Sequence, residues 1–285
     1  MNIAFWGTPE LTITYLDALK NAGYTPCVVI TNPDRPKGRG QELTAPPAKD
    51  WALAHSIPVL QPEVLDDAFF ETISSYELDI SIVVAYGKIM PLRFIELPKH
   101  KTLNVHYSLL PHLRGAAPTE SAILLGDTVT GSAIQIMRPK LDSGPLIAIQ
   151  KTDIAEDETT TELRARLTTI GAELLVKTLP NYISGSCTPV EQDEANATHS
   201  RKIKKEDGHI QLDGNGIENY RKYRAYIEWP RTYFFTQHED KEMRVIIKKA
   251  HIEGDTFVID RVLPEGKKEI SFEEFQKSYI HKKTA

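Results

Sequence analysis

A chain of 285 residues, 41% hydrophobic and 26% charged, has an ordinary soluble composition with room for two domains, and no apolar run approaches the roughly 20 residues that span a bilayer. Only Cys27 and Cys187 are present, which argues against a disulfide-stapled secreted fold and excludes a cysteine metal cage, and the start at Met1 lacks the pattern of an export signal, so a cytoplasmic, membrane-free protein is expected. The net charge of −5 argues against a general nucleic-acid binder, although residues 201–285 carry 18 Lys and Arg against 15 Asp and Glu.

In chain order, residues 3–6 read as a strand and Gly7-Thr8-Pro9-Glu10 as a helix start, with Thr8 as cap, Pro9 in the first turn and Glu10 at the positive end of the dipole. A helix over 11–22 follows, then strands at 27–31, 80–85, 102–108, 132–137 and 146–152 and a helix at 160–179. That alternation predicts an α/β fold with a mostly parallel, Rossmann-like sheet over residues 1–190. The turn after the first strand lacks the three-glycine dinucleotide fingerprint, which argues against a nicotinamide site. Residues 191–200 are polar and acidic without apolar periodicity, so a linker is expected there. Beyond it, strands at 233–235, 244–250 and 256–262 after a helix at 217–226 predict a smaller, OB-like β-barrel domain over 201–285.

Chemistry concentrates in residues 103–111. On a strand, alternation puts Asn104, His106 and Ser108 on one face and Leu103, Val105 and Tyr107 on the other. An amide donor and an imidazole on one face suit acyl transfer: the amide stabilises the oxyanion that forms when an amine attacks, and the imidazole handles charge or a proton. An isolated Asn-x-His more often marks a solvated strand face, so a third partner matters. Asp142, in Leu141-Asp142-Ser143-Gly144, offers a carboxylate to orient His106 or take the amine's proton, although Asp-Ser-Gly alone is also just a turn.

Together, Asn104, His106 and Asp142, with Ser108-Leu109-Leu110-Pro111, resemble the formyltransferase family that uses 10-formyltetrahydrofolate as donor. The resemblance implies that Asn104 and His106 stabilise the tetrahedral intermediate and that Asp142 orients the histidine and assists proton removal. It also implies that Ser108, Leu109, Leu110 and Pro111 line the folate site with Tyr86, Gly87 and Leu141. Val84-Ala85-Tyr86-Gly87, Leu113-Arg114-Gly115-Ala116-Ala117-Pro118 and residues 31–47 are more similar to the branch whose acceptor is initiator methionyl-tRNA than to its sugar-modifying relatives.

Two prolines, two glycines and the cations Arg35, Lys37 and Arg39 give residues 33–40 the composition of an exposed mobile loop that reaches phosphates. A basic surface loop without a ligand has the same composition. By resemblance the loop senses the tRNA acceptor end through Arg39, and Lys202, Lys204 and Lys205 open a tRNA-contacting barrel.

The pattern departs from the family at Met137-Arg138-Pro139-Lys140, which is basic where acidic or small residues are usual, and at Ser143, where threonine is usual. The chain also stops soon after Tyr279, which leaves the expected barrel short. A monomer is expected. The rival readings are a sugar-nucleotide N-formyltransferase, against which the Arg39 loop speaks; a formyltetrahydrofolate hydrolase, whose extra leading domain Met1 leaves no room for; and a non-catalytic RNA- or folate-binding module. A metal hydrolase is disfavoured, since none of the nine histidines has a recognisable ligand spacing with a carboxylate.

Overall fold

The structure is a computed structural model that describes residues 1–38, 40–238 and 241–280. It divides into two compact units, the first formed by Met1–Gly115, Thr130–Asp153 and Ala165–His199. Its sheet is built from β1 (Ile3–Gly7), β2 (Val28–Ile30), β3 (Val59–Leu60), β4 (Ile80–Val84), β5 (Thr102–His106), β6 (Val129–Ile136) and β7 (Leu146–Asp153), in the order β7-β6-β5-β4-β1-β2-β3. The β1–β2, β2–β3, β1–β4 and β4–β5 pairs are parallel, whereas β6 runs antiparallel to β5. Strands buried on both faces read as continuous apolar runs, which is why β1 and β4 lack polar alternation.

One core packs Ile3, Phe5, Ile82, Leu103 and Val105 against Tyr15, Leu16 and Leu19 of α1 (Thr12–Asn21) and against Ala172, Leu175 and Leu179 of the long helix Thr160–Ile183. A second core forms with Ala4, Trp6, Val83, Phe94 and Ile95.

The mostly parallel sheet matches the sequence expectation, but several local features differ. Thr8 does not cap α1; the helix starts at Thr12, whose hydroxyl donates to the Pro9 carbonyl (2.7 Å). Thr8 instead receives the Asn32 side-chain amide (3.1 Å), and that amide also reaches the Tyr86 carbonyl (3.0 Å), so the C-terminal ends of β1, β2 and β4 are tied together. Within the segment expected as a mobile loop, Arg35–Lys37 pairs with Glu42–Thr44 in a small antiparallel hairpin. Asp34 roots it by accepting from Lys49 (2.9 and 2.7 Å) and Gln61 (2.7 Å). The expected linker is not free chain either, for Glu191 and Glu194 pair with Arg138 (2.6 Å) and Lys140 (2.5 Å).

The second unit consists of Ala116–Val129, Ile154–Arg164 and Ser200–Ala285. An antiparallel four-stranded sheet, Tyr233–His238, Lys241–Glu253, Thr256–Pro264 and Ile270–Ser271, has the strand arrangement of a small barrel domain. Phe234, Met243, Val245, Ile247, Ile259, Val262 and Phe275 fill its core. Helix Gly216–Ala225 is capped by the Asn215 side chain, which accepts from the Glu218 amide (3.0 Å). Arg164 joins Glu120 to Glu228 and so fastens the three segments of this unit to one another.

Candidate active site

β5 delivers Asn104 and His106 to one face of the sheet, while Leu103 and Val105 enter the core and Tyr107 packs against it. The strand ends at His106. Ser108 lies in the following turn, buried, with its hydroxyl donating to the His112 carbonyl (2.5 Å), so it does not share the strand face that alternation assigned to it.

Asp142 sits on the turn after β6 with φ 49°, in the left-handed region. Its carboxylate meets three donors: the Gly115 backbone N–H on Oδ2 (2.8 Å), and the side-chain amides of Gln135 (2.9 Å) and Asn104 (3.4 Å) on Oδ1. His106 Nδ1 stands 3.6 Å from Oδ2, longer than a direct hydrogen bond. The opposite ring nitrogen, Nε2, lies 2.9 Å from the Leu113 carbonyl, which can only accept, so that nitrogen carries the proton. Both His106 and Asp142 are about nine-tenths buried, where electrostatic interactions are screened less than in water.

Gln135 was not singled out by sequence reasoning. It faces Asn104 directly in the β5–β6 register, and its Oε1 accepts from the Gly144 N–H (3.1 Å), which fixes the amide's orientation towards Asp142. The available signal was a lone polar residue between Ile134 and Ile136 in a strand buried along nearly its whole length. Gly144 is itself required, because a Cβ there would lie 1.6 Å from the Ile136 carbonyl oxygen.

The residues matched to folate differ in exposure. Leu110 is buried, Leu109 and Pro111 are half-buried, and Leu141 is 62% exposed. Tyr86 is packed in the second core edge-on to Trp6, with ring centroids 5.3 Å apart, and burial pushes its hydroxyl up to about 12. Gly87 follows with φ 79°. Of the residues matched to tRNA, Arg35 lies on the hairpin paired with Glu63 (2.9 Å), Lys37 ends the same strand, and Arg39 lies outside the described residues. Lys202, Lys204 and Lys205 are exposed in the second unit. Among the described residues no group of three His, Cys, Asp or Glu could hold a metal ion, and no helix is long and apolar enough to cross a membrane.

Residues 1–179 match the family described as Formyl transferase. The methionyl-tRNA formyltransferase of Myxococcus xanthus is 42% identical over 265 residues, covering 93% of this chain and 83% of that protein. The corresponding proteins of a Sulfurihydrogenibium species and of Bacillus subtilis are 40% and 42% identical, covering 87% and 81% of this chain and 80% and 73% of theirs. Among solved structures, the methionyl-tRNA formyltransferase from Clostridium thermocellum aligns over 95% of this chain and 99% of its own, with a TM-score of 0.62 and 15% identity. The N-formyltransferase from Helicobacter canadensis, solved with folinic acid and dTDP-3-aminofucose, aligns over 91% and 95% with a TM-score of 0.64 and 18% identity. At such identities these two likenesses speak for the fold alone. The chain belongs to the formyl transferase family, and within it to the methionyl-tRNA formyltransferases.

The formyl donor of this family is 10-formyltetrahydrofolate, and the residues present fit it. Asn104 commits one of its two amide N–H groups to Asp142, which leaves a donor for a carbonyl oxygen. The buried Oδ1 of Asn32 has no protein partner at the end of β2, on the carboxyl edge of the sheet where such folds take ligands.

Proposed function

We propose that this chain transfers a formyl group from 10-formyltetrahydrofolate to the amino group of methionine on initiator methionyl-tRNA, acting in the cytoplasm as a monomer. The observation that carries the reading is the convergence of His106 and three hydrogen-bond donors, Asn104 among them, on the Asp142 carboxylate. The folate supplies an activated formyl carbon. Asn104 donates to the formyl oxygen as negative charge grows there, and His106 adds electrostatic stabilisation. Asp142, met by donors on both oxygens, accepts the proton that the attacking amine gives up and holds His106 in place.

Residues 1–190 serve as the catalytic domain in this reading, with Ser108, Leu109, Leu110, Pro111, Tyr86, Gly87 and Leu141 around the folate. Ser108 and Tyr86 act there through the shape of the turn and the wall of the site, since Ser108 is already bonded within its own turn and Tyr86 is packed in the core. Arg35 and Lys37 of the hairpin, together with Arg39, and Lys202, Lys204 and Lys205 of the domain beyond the 191–200 segment, take the tRNA backbone. The test is incubation with 10-formyltetrahydrofolate and either charged initiator tRNA or an amino-sugar nucleotide, followed by mass measurement of each acceptor. A gain of one formyl group on methionyl-tRNA alone is expected; formylation of the sugar nucleotide instead overturns the assignment.

A further inference from the structure

Residues 191–194 clasp the turn that carries Asp142. Gln192 is buried and uses both ends of its amide: Nε2 donates to the carbonyl oxygens of Asp142 (2.8 Å) and Gly144 (2.7 Å), and Oε1 accepts from Arg114 Nε (3.0 Å) and Nη2 (2.8 Å). Arg114 is fully buried, and the residue after it, Gly115, supplies the backbone N–H on Asp142 Oδ2. On either side, Glu191 pairs with Arg138, while Glu194 pairs with Lys140 and with Arg114 (2.9 Å). Arg138 and Lys140 are the basic residues that depart from the family's pattern, and the acidic residues they meet lie in the same short segment as Gln192.

We propose that Gln192 is a positioning residue that acts through Asp142, an inference that rests on the catalytic reading of that carboxylate. Asp142 has a left-handed backbone, which a residue with a Cβ keeps only where its surroundings over-determine it. The two hydrogen bonds from Gln192 grip the peptide groups at Asp142 and Gly144, so they restrain the backbone torsions rather than the carboxylate. Arg114 offers only donors, which forces the Gln192 oxygen towards itself and the NH2 towards the turn. A carboxylate aimed by a backbone held in this way keeps its place beside His106 and Asn104 through the reaction cycle, and a loss of placement of about an ångström is worth about a hundredfold in rate.

The experiment uses the full chain with 10-formyltetrahydrofolate and charged initiator tRNA, and compares Gln192→Ala and Gln192→Glu alone and on an Asp142→Ala background. Gln192→Ala is expected to lower kcat by about tenfold to a hundredfold and to leave KM for the tRNA within about twofold. Gln192→Glu keeps an acceptor for Arg114 but cannot donate to the two carbonyls, so kcat falls similarly, and thermal unfolding of both variants checks that they are folded at the assay temperature. Neither change lowers the residual rate of Asp142→Ala further, because both act through the same group. Wild-type kcat in Gln192→Glu and Gln192→Ala, or losses that multiply with that of Asp142→Ala, overturn the inference. Wild-type turnover in Asp142→Ala overturns the catalytic reading itself.

Discussion

Asn104 and Gln135 stand opposite one another in the antiparallel β5–β6 pair, and their side-chain amides donate to the same oxygen, Oδ1 of Asp142, at 3.4 and 2.9 Å. With the Gly115 N–H on Oδ2, both oxygens of Asp142 are acceptors and neither position tolerates a donor. Asp142→Asn introduces an NH2 that must face one of these N–H groups, so the new side chain turns away as well as losing its charge. Single-turnover formylation is expected to slow by at least about a hundredfold, with folate affinity within about threefold of wild type. An unchanged rate removes Asp142 from the mechanism.

Gln135 invites a pair of substitutions with opposite consequences. Gln135→Leu strands the buried Gly144 N–H, so thermal unfolding should show a loss of about 1 to 3 kcal/mol. Gln135→Glu still accepts from that N–H but sets a second carboxylate against Asp142. Turnover in this variant should fall by about tenfold or more, since like charges at such a distance favour protonation of one of them. Equal turnover in Gln135→Glu and wild type would assign Gln135 to the fold alone.

How much of this was legible in advance follows from the range over which each signal acts. Alternation placed Asn104 and His106 on one face and Leu103 and Val105 on the other, which the structure turns into the core, because a strand's two-residue period is a local property. It overran at Ser108, where the hydrogen bond to His112 closes a turn that no periodicity announces. Gln135 and Gln192 were missed for a different reason: each is a polar side chain whose partners lie outside its own element, Asp142 and Gly144 on the turn after the strand for the first and the far-off Arg114 and Asp142 for the second. In sequence the first looks like a polar interruption of a strand, and the second like part of a solvated acidic linker.

Glu194 makes the acid response of the clasp predictable. Hydrogen bonds from Arg114 and Lys140 hold its carboxyl down at about 2, below the usual 4.5. Because the folded value is depressed, the stabilisation is fully present above the unfolded value and is lost as pH falls from there towards about 2. Glu194→Gln should therefore unfold at a lower temperature than wild type at pH 7, with the gap narrowing steadily under acid. Thermal unfolding of both proteins from neutral pH to about pH 3 checks this, and a gap that stays constant with pH rules out the ionic contribution.

The root of the hairpin gives a way to test its part in acceptor recognition apart from the chemistry. Asp34 is held ionised by hydrogen bonds from Gln61 and Lys49, and Gln61 also reaches the Asn32 carbonyl (2.9 Å), so one carboxylate anchors the start of the Arg35–Lys37 strand. Asp34→Ala should raise KM for charged tRNA by about threefold to tenfold and leave kcat and folate affinity close to wild type. Arg39 bears on the same step through its own chemistry, for a guanidinium makes two directed hydrogen bonds to a phosphate or base edge and an ammonium offers only a compact charge. A charged hydrogen bond of roughly 1.5 to 3 kcal/mol makes Arg39→Ala cost about tenfold to a hundredfold in tRNA-dependent efficiency. Arg39→Lys should lose more than half of that free energy if geometry governs the contact, and little of it if charge alone does. The assay compares charged initiator tRNA with a version whose first base pair is closed, and uses folate binding as the control. Wild-type efficiency and unaltered tRNA preference in both Asp34→Ala and Arg39→Ala would reduce this hairpin to a surface feature with no part in choosing the acceptor.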